Sequence, residues 1–206
     1  MKLLPLITLC IPLTLSFHLV ADTTNTTLKT QIQQCENCHS ESAASQSIAP
    51  VLNGMSEQYL KDQMENFAQD KRRVAMEETP AINDAHTSLA SDEESLSLVS
   101  EYYAELERRV SSVSVDGDAS SGESLFEDDC ASCHTSTFGR YLSDSPEITH
   151  LEGPYILKQM KAFSDGQRSF TNETKSHRKM VNRIQQYSDK ELADIVAYIK
   201  ANAHTL

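Results

Sequence analysis

Cys35-Glu-Asn-Cys38-His39 and Cys130-Ala-Ser-Cys133-His134 stand in one frame, 95 positions apart in a chain of 206 residues. Such a spacing suggests a repeat, and the flanking sequence carries one. Residues 50–72 laid on 146–168 agree at Pro50/Pro146, Tyr59/Tyr155, Gln63/Gln159, Met64/Met160, Phe67/Phe163 and Arg72/Arg168. Chance at about 6% per position would give about one or two such matches. Each half then closes alike. Ser91 with Glu94, and Ser188 with Glu191, form S-x-x-E capping boxes, followed by the helical stripes Leu96, Val99, Tyr103 and Leu192, Ile195, Val196, Ile199. The middle helices are expected near Glu57–Gln69 and Gly153–Ser164. No convincing period-2 strand pattern occurs, so the expected fold is all-α, a tandem duplication.

The C-x-x-C-H motif has a chemistry of its own. Two intervening residues place the thiols about one helical turn apart, matched to two neighbouring vinyl groups on a porphyrin edge, to which they add as thioethers. The following histidine then lies under the iron as an axial imidazole. This is the attachment pattern of haem c. A zinc site shared by the two Cys pairs leaves both histidines unexplained, and a thioredoxin-like redox pair requires a β-α-β context. Cys35, Cys38, Cys130 and Cys133 are therefore the expected covalent attachment points of two haems, with His39 and His134 as iron ligands.

Composition agrees with an exported protein. Eighteen Lys and Arg against thirty Asp and Glu give a net charge of −12, which argues against nucleic acid and anionic lipid as partners. Lys2 followed by an apolar run from Leu3 to Val20 reads as a signal peptide, residues 1–21, with cleavage after Ala21; an uncleaved anchor is the alternative. Cleavage removes Cys10, leaving four of the five cysteines, all in the two motifs. No later stretch is apolar enough to span a membrane. Residues 22–110 form the first expected domain, 111–122 a Ser-, Asp- and Gly-rich linker, and 123–206 the second domain. Residues 22–110 carry 7 basic and 16 acidic groups, and residues 111–206 carry 10 and 14.

With these motifs in place, each half resembles a class I c-type cytochrome. The chain over 25–206 is similar to the two-haem, cytochrome c4-like electron carriers of the bacterial periplasm. That resemblance implies an all-helical fold around each haem, whose porphyrin supplements a lean apolar core. It also implies a Met thioether as the sixth iron ligand, from the loop before the last helix. In the second half Met180 fits, 46 residues after His134, with His177 a minor rival. In the first half, transfer of Met180 by the repeat lands on Asp84; the expected ligand is Met76, after Lys71-Arg72-Arg73, with His86, 47 residues after His39, as the alternative. An open iron position is a third option there. Arg72 and Arg168 are candidates to pair with haem propionates or with acidic residues of the sister domain, or else are exposed helix-end residues. His150 and His204 read as surface residues, and Glu127-Asp128-Asp129 as a solvated acidic face.

The expected function is electron transfer between respiratory partners in the periplasm. Redox proteins or membrane complexes with a basic docking patch would meet the acidic surface. The alternatives are a dihaem enzyme such as a peroxidase, which needs one open iron, and the haem subunit of a larger dehydrogenase.

Overall fold

The computed structural model describes residues 17–44, 49–72 and 80–206. Most of the expected signal peptide, and Met76, lie outside these residues. The first half holds α1 (Phe17–His39), α2 (Glu41–Ala44), α3 (Glu57–Ala68), α4 (Pro80–Ala90) and α5 (Glu93–Glu105). The second holds α6 (Ala119–Asp129), α7 (Ala131–His134), α8 (Thr137–Ser143), α9 (Gly153–Ser164), α10 (Lys175–Ile184) and α11 (Asp189–Ala201). Among the described residues there is no strand, and no helix is long and apolar enough to cross a membrane.

The repeat is visible in the helices: α3 answers α9 and α5 answers α11, each pair beginning 96 positions apart. Beyond the expected elements, α4 and α10 fill the stretches before the last helix of each half, where loops are expected. The second capping box is present, Ser188 accepting from the Glu191 amide while the Glu191 carboxylate accepts from the Ser188 amide. The first is not. α5 is capped by Asp92, whose carboxylate accepts from the Ser95 amide at 3.2 Å, while the Ser91 hydroxyl donates back to the Thr87 carbonyl. Since α4 draws Ser91 into its last turn, Asp92 is the residue left extended and able to cap.

In each half a helix leading into the Cys motif packs against the C-terminal helix. On α1, Glu36 accepts from the hydroxyl of Tyr103, a fully buried α5 residue, at 2.8 Å. On α6, Phe126 is fully buried against Tyr198 of α11. There the backbones come unusually close: a Cβ on Gly122 would stand 2.0 Å from the Asp194 carbonyl oxygen. Residues 111–118, whose composition suggests flexibility, are held instead. The Ser111 amide bonds the His150 carbonyl, the Gly153 amide bonds the Val113 carbonyl, and the Asp118 amide bonds the Asp194 carboxylate. The Asp and Gly residues here serve helix capping and close approach.

The two halves meet through their middle helices. Asp70 after α3 and Gly166 after α9 both have left-handed backbones, φ 58° and 71°, at equivalent positions of the repeat. Each turn folds the chain back so that Arg72 lies over the Phe67 ring and Arg168 over Phe163, at 4.8 and 4.4 Å from the centroids. The Arg72 guanidinium donates to Gln63 of its own half at 2.7 Å and to the Tyr155 hydroxyl of the other at 2.5 Å. Arg168 likewise donates to Gln159 at 2.6 Å and across to Gln63 at 2.8 Å. Both arginines are therefore buried junction residues, not exposed helix ends, and the partners seen are amides and a phenol rather than carboxylates.

Candidate functional site

Cys130 closes α6, and the single turn of α7 carries the rest of its motif. Cys130, Cys133 and His134 line a cavity of about 380 Å³ together with Pro146, Ile156 and Met180. That volume is in the range of small-molecule and cofactor sites. The His134 Nδ1 donates to the Pro146 carbonyl at 2.8 Å; in the first half the His39 Nδ1 donates to the Pro50 carbonyl at 2.7 Å. A carbonyl can only accept, so each proton sits on Nδ1 and Nε2 keeps its lone pair for a metal. This bond explains why proline-containing segments repeat at 50 and 146. Burial holds both rings below the ordinary histidine pKa, with Arg72 and Arg140 acting in the same direction against the proline carbonyls. They are neutral, as a ligating imidazole must be.

None of the four described cysteines is in a disulfide. Burial, then the neighbouring Asp129, pushes the Cys130 thiol up to about 12; burial, then Glu36, raises Cys35. Protonated thiols of this kind are poor nucleophiles and do not suit a thiol–disulfide exchange site.

Met180 reaches the cavity from inside α10 rather than from a loop. The rival His177 also lines the cavity, but its Nδ1 accepts from the Thr174 amide in the helix cap and its ring lies on Phe170, centroids 3.8 Å apart. Two buried polar atoms in the cavity wall, Arg168 Nε and Thr171 Oγ1, have no hydrogen-bond partner. Buried donors are rarely left so. In a largely apolar cavity they fit a group that brings its own carboxylates, as haem does with its propionates. Residues of the first half, including Tyr59, Gln63 and Asn66 of α3, complete the cavity wall.

The first motif sits at the end of α1 with its thiols half-buried. His86 of α4 stacks on Phe67, centroids 4.4 Å apart, and meets His39 edge-on with 6.1 Å between centroids. Met76 falls outside the described residues. His150, expected at the surface, is 2% exposed; its carbonyl accepts from Ser111 of the linker, and the flanking Thr149 and Leu151 carbonyls accept from Lys200. Gln63 and Gln159, matched across the repeat, are the acceptors that hold Arg72 and Arg168, a role for which their recurrence at the same repeat position is the only sequence signal.

Residues 119–203 match the family model of cytochrome c. Among solved structures, cytochrome c4 from Pseudomonas stutzeri superposes with a TM-score of 0.63 at 21% identity, over 85% of this chain and 96% of that one. The chain folds as two cytochrome c domains in tandem. The cytochrome c4 of Acidithiobacillus ferrooxidans gives 0.52 at 17% identity, over 75% of this chain and 89% of that one. Thiosulfate dehydrogenase (TsdBA) from Marichromatium purpuratum gives 0.61 at 22% identity over 81% of this chain, which spans 36% of the length of that protein. No curated protein matches the chain. The cytochrome c family match implies covalently bound haem c, and the paired thiols, the oriented imidazole and the orphaned Arg168 and Thr171 atoms are suited to hold it.

Proposed function

We propose that the chain is an exported, periplasmic electron carrier holding two haems c. One would be attached through Cys35 and Cys38 with His39 as ligand, the other through Cys130 and Cys133 with His134 and Met180. The observation that carries this reading is the twice-repeated imidazole, its Nδ1 bonded to a proline carbonyl, in a motif with two cysteines that form no disulfide. Bound haem iron supplies a one-electron couple, and the chain supplies ligation, burial and a docking face. Met180 as a thioether ligand favours ferrous iron and a high potential. A partner with basic groups around its own redox centre complements the net charge of −12, and the association weakens as salt rises.

The likeness to part of a thiosulfate dehydrogenase supports a second reading, a haem subunit that relays electrons for a larger dehydrogenase. A dihaem peroxidase would require one iron to bind external ligands. The test is expression with haem-attachment machinery followed by mass measurement and haem quantification. Two covalent haems are expected in the unmodified chain, and one in the double variant Cys130→Ala, Cys133→Ala. Absence of covalent haem refutes the reading. Peroxide turnover, or cyanide binding to the resting protein, shifts it to the enzyme class, and thiosulfate oxidation only in the presence of a second protein shifts it to the subunit role.

A further inference from the structure

We propose that His86 is the second axial ligand of the first haem, so that the chain carries one bis-histidine site and one His–Met site; this rests on the dihaem reading above. The separation of the two rings matches that of imidazoles on opposite sides of one metal ion. A metal–nitrogen bond of about 2.0 Å on each side, with a ring radius of about 1.1 Å, separates two trans imidazole centroids by about 6.2 Å. The His39 and His86 centroids are 6.1 Å apart. In such a pair both ring planes contain the ligand axis, so only the rotation about it is free; the interplanar angle here is 89°, and rings coordinated at that angle would be perpendicular.

Each ring is held in that setting by the fold. His39 is pinned by its Nδ1 bond to the Pro50 carbonyl. His86 is backed by the Phe67 ring at 4.4 Å and 20°. In the other half, the residue equivalent to Phe67 is Phe163, and Phe170 rather than a histidine covers it, with rings 5.1 Å apart. The two halves thus differ in what lies over the repeated phenylalanine. Among the described residues no three His, Cys, Asp or Glu side chains converge on one point. A facing imidazole pair therefore makes no cage for a bare ion, and needs a group that brings its own in-plane donors, as a porphyrin does. Exchanging a thioether for an imidazole lowers the potential of the first site relative to the second. A single electron added to the chain then resides on the second haem.

The experiment uses the haem-loaded full chain in its ferric state, with electron paramagnetic resonance, near-infrared spectra and a reductive titration. The expected spectrum shows one Met-type charge-transfer band per two haems, abolished in Met180→Ala. It also shows a separate strongly anisotropic low-spin resonance, the signature of perpendicular imidazoles. His86→Ala removes that resonance and leaves the first haem high-spin, whereas Met76→Leu changes neither signal. Reduction proceeds in two one-electron steps, the Met-band haem first. Two Met-type bands in the unmodified protein, or loss of a Met band in Met76→Leu, overturns the proposal; neither result depends on the His86 variant folding. Haem counting separates the two levels. Two covalent haems with two Met bands refute the bis-histidine site alone, while fewer than two haems refute the dihaem reading and this proposal with it.

Discussion

His150 gives the chain a built-in sensitivity to mild acid. Its ring is 2% exposed and neither nitrogen has a hydrogen-bond partner. Burial is the main cause of a pKa pushed down to about 4; Arg108 and Lys200 add to the depression, and Glu147 partly opposes it. An unfolded chain binds the proton near 6.5, so between about pH 6.5 and 4 the unfolded state takes up more protons than the folded one. The stability contribution is thus complete above pH 6.5 and is lost as pH falls towards 4. From pH 7.5 to 5.0 the loss from this one group is about 2 kcal/mol, rising to about 3 kcal/mol when both forms are protonated. The assay is urea unfolding of the haem-loaded protein at both pH values, compared with His150→Leu. Subtracting the variant removes contributions from distant carboxylates and from the other histidines. The variant is expected to lose about 2 kcal/mol less than the parent on acidification, and to be no less stable at pH 7.5, since it removes two unsatisfied buried polar atoms. Equal losses in the two proteins would show that His150 is solvated or paired in solution and refute this account.

Other expectations concern the junction and the packing. Arg72→Ala should cost about 2–3 kcal/mol in urea unfolding, because it leaves the Tyr155 hydroxyl without its buried charged donor and takes one of two such donors from Gln63. Arg72→Lys should recover only part of this, since an ammonium lacks the planar fork that reaches both partners. Gly122→Ala should lower the melting temperature by several degrees or prevent folding of the second half, as its Cβ would meet backbone 2.0 Å away where α6 crosses α11; an unchanged melting curve would place the crossing elsewhere. Tyr103→Phe should cost about 1 kcal/mol through loss of the bond to Glu36, with the ring packing kept.

Much of the local arrangement was legible in the sequence. The Ser188 capping box depends on residues close together in the chain and is present, and each motif histidine bonds the carbonyl of its matched proline, Pro50 or Pro146. Legibility failed where two local choices competed. The S-x-x-E pattern points to Ser91 as the cap of α5, but the Ser91 amide and hydroxyl both bond the Thr87 carbonyl at the end of α4, which leaves the position to Asp92. It failed again for His150, whose polar side chain and loop setting suggest exposure, while burial came from the linker packed over it. The role of Arg72 and Arg168 was open for the same reason. A helix-end arginine is exposed unless another part of the chain covers it.

By itself, the sequence determined the duplication and the all-helical class and singled out the two Cys–His motifs, since these follow from short-range spacing and periodicity. The tertiary structure decided what two distant segments do to each other. It set the arginines of each half on partners in the other, closed the second cavity with α3 of the first half, and brought His86 from α4 to face His39. His86 and the expected Met76 stand 10 positions apart in the chain. Spacing alone does not say which side chain meets the His39 ring, because that depends on which face of which helix turns toward it.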